Sequence, residues 1–319
     1  MTNQLLRVRV VGKHLAAQDI AAFELQALDQ AELPSFDAGA HIDVHLPNGL
    51  VRQYSLCNDP RTRDRYRICV LRDAATRGGS AAMHDLVAAG DVLAIGAPRN
   101  LFPLVPGSHS TLLLAGGIGV TPMLAMAWRL HAQEVPFELH YFTRSAARTA
   151  FHDEIREAPF AASTSLWFDD ADMPQRPSIA ALLARAAPGT HVYACGPAGF
   201  LEHVMRSCEQ AAWPTSQLHY ETFAAAPVQQ GEAFDVQVRS SGLTVRVAHD
   251  QSVVEALAAH GVVIPVSCEQ GICGTCLTGI REGRADHRDQ YLTDEEHARG
   301  DQFTPCCSRA LTPLLVLDL

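Results

Sequence analysis

The sequence predicts a multidomain chain: an antiparallel β-barrel, then an α/β domain on a parallel sheet, then a smaller α+β domain. Three observations predict it. Short segments separated by turn residues fill residues 1–106, and buried strand candidates alternate with helical patterns over 107–226. Five of the nine cysteines then fall in the last 52 residues. A chain of 319 residues has room for two to three domains of ordinary size.

In the first block the strand candidates are Leu6-Arg-Val-Arg-Val-Val, Ala22–Ala27, His41–Leu46, Tyr66–Leu71 and Asp91–Ile95. Pro47-Asn-Gly and Asn58-Asp-Pro supply turn chemistry between them. Regular short strands with such punctuation predict a small antiparallel barrel.

In the second block, strands are predicted at Thr111–Ala115, Phe137–Phe142 and His191–Ala194. Helices are predicted at Pro122–Ala132, Ile179–Ala187 and Ala198–Ala211. This alternation predicts a parallel sheet with its ligand at the carboxyl ends of the strands. At one strand-to-helix turn stands Leu112-Leu-Leu-Ala-Gly-Gly-Ile-Gly-Val-Thr-Pro-Met. Its glycines would let backbone N–H groups and a helix N-terminus meet a pyrophosphate. Val120, Thr121 and Pro122 follow Gly119, so the third glycine of the dinucleotide fingerprint is missing. Alone, the run is equally a tight structural turn.

Thr222–Glu232 is a small-residue and Gln stretch that reads as a linker. Beyond it, strands are predicted at Phe234–Arg239 and Leu243–Ala248. Ser252-Val-Val-Glu has the pattern of a capping box, starting a helix to His260. Cys268-Glu-Gln-Gly-Ile-Cys273-Gly-Thr-Cys276 has the spacing C-x4-C-x2-C, with Cys306 thirty positions further on. Plant-type [2Fe–2S] centres use this arrangement, in which four thiolates converge on two irons. Gly271 and Gly274 would let backbone amides approach the sulfides. A zinc knuckle would instead pair Cys273-x-x-Cys276 with a second close doublet, and a thioredoxin-like pair would leave Cys268 unused.

The formal charge of −10 argues against nucleic acid and anionic membrane surfaces as partners. Met1 to Arg9 lacks a basic segment followed by an apolar run, so no signal peptide is predicted and a cytoplasmic location is expected. Thr111–Trp128 is uncharged and long enough for a membrane span, but its glycines and Pro122 predict otherwise. The 15 histidines are scattered, and each is expected to be solvated.

Arg52-Gln53-Tyr54-Ser55, Arg77-Gly78-Gly79-Ser80, Gly116-Gly117-Ile-Gly119-Val-Thr121-Pro122 and Cys195-Gly196-Pro197 together resemble motifs of the ferredoxin–NADP reductase superfamily. With the cysteine block at its C-terminus, the chain resembles the phthalate dioxygenase reductase and vanillate demethylase reductase family over essentially its whole length. The resemblance implies a flavin barrel over 1–106, an NAD domain over 107–226 and a β-grasp ferredoxin domain over 231–319. It implies FMN and NADH as cofactors. Arg52, Arg77 and Gly78-Gly79-Ser80 would bind the flavin phosphate, with Gln53 beside them in the flavin motif. Tyr54 would lie along the isoalloxazine, Ser55 near N5, and Phe223 near the ring. The Gly116–Pro122 turn would meet the nicotinamide nucleotide, and Cys195-Gly196-Pro197 would lie by the nicotinamide. Thr143 and Arg144 would line the nucleotide site. Arg144 with Ser145 could hold a 2′-phosphate, whereas Asp169, Asp170 and Asp172 would repel one. The alignment also picks Cys306 as the fourth iron ligand and makes Cys307 a buried small hydrophobe.

NADH delivers two electrons and a [2Fe–2S] centre accepts one, a mismatch that a flavin between them resolves. The resemblance therefore implies a reductase component that passes single electrons to a separate Rieske-type non-haem iron oxygenase. The chain itself lacks the C-x-H and C-x-x-H pair of a Rieske centre. Residues 231–319 carry 7 Arg and 13 Asp or Glu, which would allow an acidic docking face. Two alternatives are a reductase for a cytochrome P450 or other haem acceptor, and a non-enzymatic zinc- or flavin-binding module.

Overall fold

A computed structural model describes residues 5–28, 32–73, 78–170, 176–223, 231–266, 269, 271, 274–289 and 291–319. The chain divides into two units, Met1–Phe223 and Ala224–Leu319.

The first unit opens with β1 (Leu6–Ala17), in which Val8 and Val10 are buried while Arg7 and Arg9 are exposed. It is followed by β2 (Ile20–Ala27), β3 (Ala40–His45), β4 (Val51–Ser55) and β5 (Tyr66–Leu71). Then come α1 (Gly79–Leu86), β6 (Val92–Ile95) and the short β7 (Arg99–Asn100). The strands pair antiparallel in the order β4-β3-β6-β1-β2-β5, with β7 on β3. A bridge between Leu56 and Ile68 joins the end of β4 to β5 and closes the barrel. Each predicted strand is present, but β4, which carries the Arg52–Ser55 motif, went unread as a strand.

The rest of the unit alternates β8 (Thr111–Gly116), α2 (Val120–Ala132), β9 (Phe137–Thr143), α3 (His152–Glu157) and β10 (Thr164–Phe168). It continues with α4 (Ile179–Arg185), β11 (His191–Cys195), α5 (Ala198–Gln210) and β12 (Leu218–Glu221). All five strands run parallel in the order β10-β9-β8-β11-β12. Every residue of the central β8 is buried, as a strand covered on both faces requires. The run Thr111–Trp128 is thus a strand, a glycine turn and part of a helix, and no described helix is long and apolar enough to cross a membrane.

One apolar cluster joins the barrel to the parallel sheet. Ile20, Ala22, Cys57 and Cys69 from the barrel pack with Leu113, Met123, Tyr141 and Cys195 from the sheet and its helix. Arg67 of β5 adds a bidentate pair to Glu154 of α3 at 2.7 Å, and its guanidinium lies 4.6 Å from the Phe151 ring centroid.

The second unit contains β13 (Phe234–Val238), β14 (Thr244–Val247), α6 (Val253–Ala258), β15 (Thr278–Glu282) and β16 (Ala285–Asp286). Then follow α7 (Asp294–Arg299), β17 (Gln302–Phe303), β18 (Arg309–Ala310) and β19 (Leu314–Leu317). The main sheet has the order β14-β13-β19-β15-β17, with α6 laying Val253, Ala256 and Leu257 into the core, a β-grasp arrangement. Ser252 and Glu255 form the expected capping box, although the helix ends two residues earlier than predicted. Thr293 and Glu296 form a second capping box on α7, a helix not predicted from sequence.

Candidate active site

On the barrel, β4 leads to the phosphate-binding candidates. The Arg52 side chain lies over Gly79, where a Cβ would come within 2.7 Å of its Cγ and Nε. Gly78 (φ 89°) turns the chain into α1 and, as its N-cap, has no side chain of its own to cap the helix. A glycine pair thus brings a helix N-terminus close beside a guanidinium, which suits a phosphate. Ser80 Oγ accepts from Asp73 N at 3.2 Å, while Arg77 lies outside the described residues. Gln53 turns its amide into a network that sequence reading missed, donating to Asp43 Oδ1 at 3.0 Å. Arg99 holds the other Asp43 oxygen at 2.7 Å. His41 joins this network, and burial, helped by the Arg99 charge, lowers its pKa to about 4. Tyr54 packs against the barrel core, and burial pushes its phenol up. Ser55 is buried at the end of β4, two residues before Cys57 of the shared cluster.

The nicotinamide candidates meet at the carboxyl end of the parallel sheet. Cys195 pairs in register with Ala115 on one side and Glu221 on the other. The turn after β8 is pressed directly onto the backbone after β11: a Cβ at Gly119 would sit 2.2 Å from the Cys195 carbonyl oxygen. Gly116 and Gly196 make the same kind of approach, each with Phe200 within 3.0 Å of where a Cβ would be. Gly117 (φ 54°) makes the turn itself, and α2 and α5 begin at Gly119 and Pro197 with no side-chain caps. Thr121 is buried and donates to the Ile118 carbonyl at 3.1 Å, closing the turn just before Pro122. Thr143 shares a 2.7 Å hydrogen bond with Thr149 at the end of β9, and Arg144 is exposed beyond it. Asp169 pairs with Arg176 at 2.6 Å, while Asp172 lies outside the described residues.

Cys195 is fully buried, and burial first, then the neighbouring Glu221, raises its thiol well above the ordinary range. It is therefore a neutral thiol, packed in the apolar cluster shared by barrel and sheet. Phe223 packs on the same apolar cluster. Glu221, which sequence reading missed, has its Oε2 shut off from solvent with no hydrogen-bond partner among the described residues. Burial raises its pKa to about 8. The signal available was its position two residues before Phe223, at the end of the strand beside Cys195.

In the second unit, Cys276, Cys306 and Cys307 are buried, while Cys268 and Cys273 lie outside the described residues. Cys306 is within hydrogen-bonding reach of both Cys276 and Cys307, and these contacts with burial raise its thiol. Thiols crowded this way cannot readily ionise together without a cation, so Cys276 and Cys306 suit the iron of a cluster. Cys307 shares their core cluster and has Thr304 Oγ1 at 3.3 Å. Gly271 (φ 75°) and Gly274 (φ 69°) have no room for a side chain. Cys307 Sγ and Asp289 fill the space at the first, and the Tyr291 ring at the second.

The histidines depart from expectation. His41 and His140 are buried, and His287 and His297 stack at 4.3 Å beside the buried Asp289. Each is drawn in by a partner remote in sequence or by strand burial, which local composition does not report.

A family model for the 2Fe-2S iron-sulfur cluster binding domain matches residues 236–311. The vanillate O-demethylase oxidoreductase of Pseudomonas sp. (strain HR199 / DSM 7063) is 49% identical over 99% of this chain and 100% of its own. A solved phthalate dioxygenase reductase, described as a modular structure for electron transfer from pyridine nucleotides to [2Fe–2S], is 39% identical with a TM-score of 0.78. It covers 99% of this chain and 98% of that one. An intact type IV self-sufficient cytochrome P450 monooxygenase is 38% identical with a TM-score of 0.79, over 99% of this chain and 41% of that one. Likeness of this extent makes the chain a member of the phthalate dioxygenase reductase and vanillate O-demethylase reductase family.

Proposed function

We propose that this chain is the NADH-dependent reductase component of an oxygenase system, with FMN and a [2Fe–2S] cluster as its cofactors and a separate Rieske-type oxygenase as its electron acceptor. The observation that carries the reading is the joining, in one chain, of the Gly119–Cys195 backbone contact with paired Cys276 and Cys306 thiols. The domain limits that go with it are 1–106 for FMN, 107–226 for NADH and 231–319 for the cluster. FMN would supply acceptance of one hydride, two electrons together, and their release one at a time, as a one-electron cluster requires.

In this reading Arg52 and the N-terminus of α1, with Arg77 and Ser80, hold the flavin phosphate. Tyr54 and Phe223 flank the isoalloxazine, and the Ser55 hydroxyl orients near its N5. The amides at Gly116, Gly117 and Gly119 receive the nucleotide, with Thr121 and Pro122 fixing the turn and Thr143 and Arg144 beyond it. Cys195, Gly196 and Pro197 form the wall against the nicotinamide, and the neutral Cys195 thiol adds bulk without charge. Cys268, Cys273, Cys276 and Cys306 hold the irons.

An anaerobic NADH titration followed by absorbance and low-temperature EPR tests the reading, with the released flavin identified by chromatography. Flavin bleaching, FMN as the flavin and a rhombic [2Fe–2S] signal are expected. Flavin reduction without a cluster signal, with iron and sulfide intact, would overturn the cluster as exit. A second reading, a haem acceptor, draws support from the full-length match to the self-sufficient P450. Turnover with a purified Rieske oxygenase but not with a P450 separates the two.

A further inference from the structure

His287, Asp289 and His297 converge in the second unit. One donor atom from each lies within 4.8 Å of the other two. The Asp289 carboxylate has no solvent exposure, His287 is 12% exposed and His297 is 26% exposed. His297 Nε2 stands 3.3 Å from Asp289 Oδ2, and His287 Nδ1 stands 3.6 Å from Oδ1. His287 Nδ1 is buried and makes no hydrogen bond among the described residues.

These separations are long for charge-assisted N–H···O contacts, which close to about 2.7–2.9 Å. They match the edge of a tetrahedron with metal–ligand bonds of about 2.0–2.1 Å, which is about 3.4 Å. The carboxylate is also held by groups other than imidazoles. Leu292 N donates to Oδ2 at 2.9 Å, and Ser308 Oγ donates to Oδ1 at 3.3 Å. Outer hydrogen bonds of this kind fix a ligand's orientation before an ion arrives.

We propose that His287, Asp289 and His297 form a binding site for one divalent transition ion of the zinc class, separate from the iron–sulfur ligands. Two imidazoles and a carboxylate are a donor set that Zn²⁺ takes with a fourth position left for water. The site would be assembled from two segments, the stretch after β16 and the last turn of α7. Bound, the ion would pin α7 to the segment whose Asp289 backs Gly271 in the cysteine loop. The proposal goes beyond the redox reading and does not depend on it.

The test uses the full-length holoprotein equilibrated with Zn²⁺ alone at low micromolar concentration, with zinc and iron measured by plasma emission after dialysis. One zinc per chain with undiminished iron is expected. His297→Gln and His287→Gln should each weaken zinc affinity at least tenfold, while His203→Gln, an exposed position on α5, should not. His297 is the more exposed ligand and its replacement can still hydrogen-bond Asp289, so this variant decides should the other fail to fold. No zinc retained, zinc gained only as iron is lost, or equal affinity in wild type and His297→Gln would each overturn the site.

Discussion

Replacing Cys306 by serine is expected to remove the cluster, whereas Cys307→Ser should retain it, as read by iron and acid-labile sulfide per chain. The two differ by one position and reach each other, but Cys306 also reaches Cys276 whereas Cys307 also reaches Thr304. Glu221 belongs at the same scale. Its pKa, raised from 4.5 to about 8, means the folded state binds the proton more tightly than the unfolded chain. Its stabilising share is complete below about 4.5 and is lost as pH rises to about 8, with a slope of up to about 1.4 kcal/mol per unit. Glu221→Gln should flatten that stretch of the stability–pH profile, checked by urea unfolding at a series of pH values. The cysteine ligands were legible because their spacing is local. Glu221 was not, because a carboxylate at a strand end looks the same in sequence whether solvent or a neighbouring strand covers it. The Asp43–Arg99 pair was hidden for the same reason, its members coming from different strands.

Elements were read where a run of apolar residues is buried nearly throughout. Tyr66–Leu71 and Phe137–Thr143 emerged with limits at or within one residue of prediction. By contrast, β4 has four consecutive half-buried residues and so no alternation to read. The α7 helix buries none of its residues, leaving its capping box, Thr293-Asp-Glu-Glu, as the one local sign of it. The turn between β8 and α2 was found through its glycines, but its purpose extends past ligand binding, because Gly119 is where two loop backbones touch. Gly119→Ala should therefore cost about 1–3 kcal/mol in unfolding free energy through overpacking. It should also slow NADH-dependent flavin reduction, since the backbone at Cys195 must move. Stopped-flow absorbance and denaturant titration of the same variant check both halves.

At the scale of the whole molecule, each of the three blocks of rhythm in the sequence appears as a main sheet, but the first two share an apolar cluster. Periodicity shows which face of an element is buried and never which neighbour covers it, so this shared core was not legible. Cys276→Ser is expected to abolish electron delivery to one-electron acceptors that depend on the cluster. NADH oxidation with ferricyanide should survive near the wild-type rate, because the residues assigned to hydride transfer lie in the other unit. Joint loss of both activities in a folded variant would contradict that separation. The shared cluster also bears on how such proteins can be recombined. A chimera that takes the barrel from one reductase and the parallel sheet from another would inherit two halves of one interior, with Cys57, Cys69, Met123 and Tyr141 chosen by different lineages. The portable cassette for grafting cofactor specificity is therefore the barrel and sheet together.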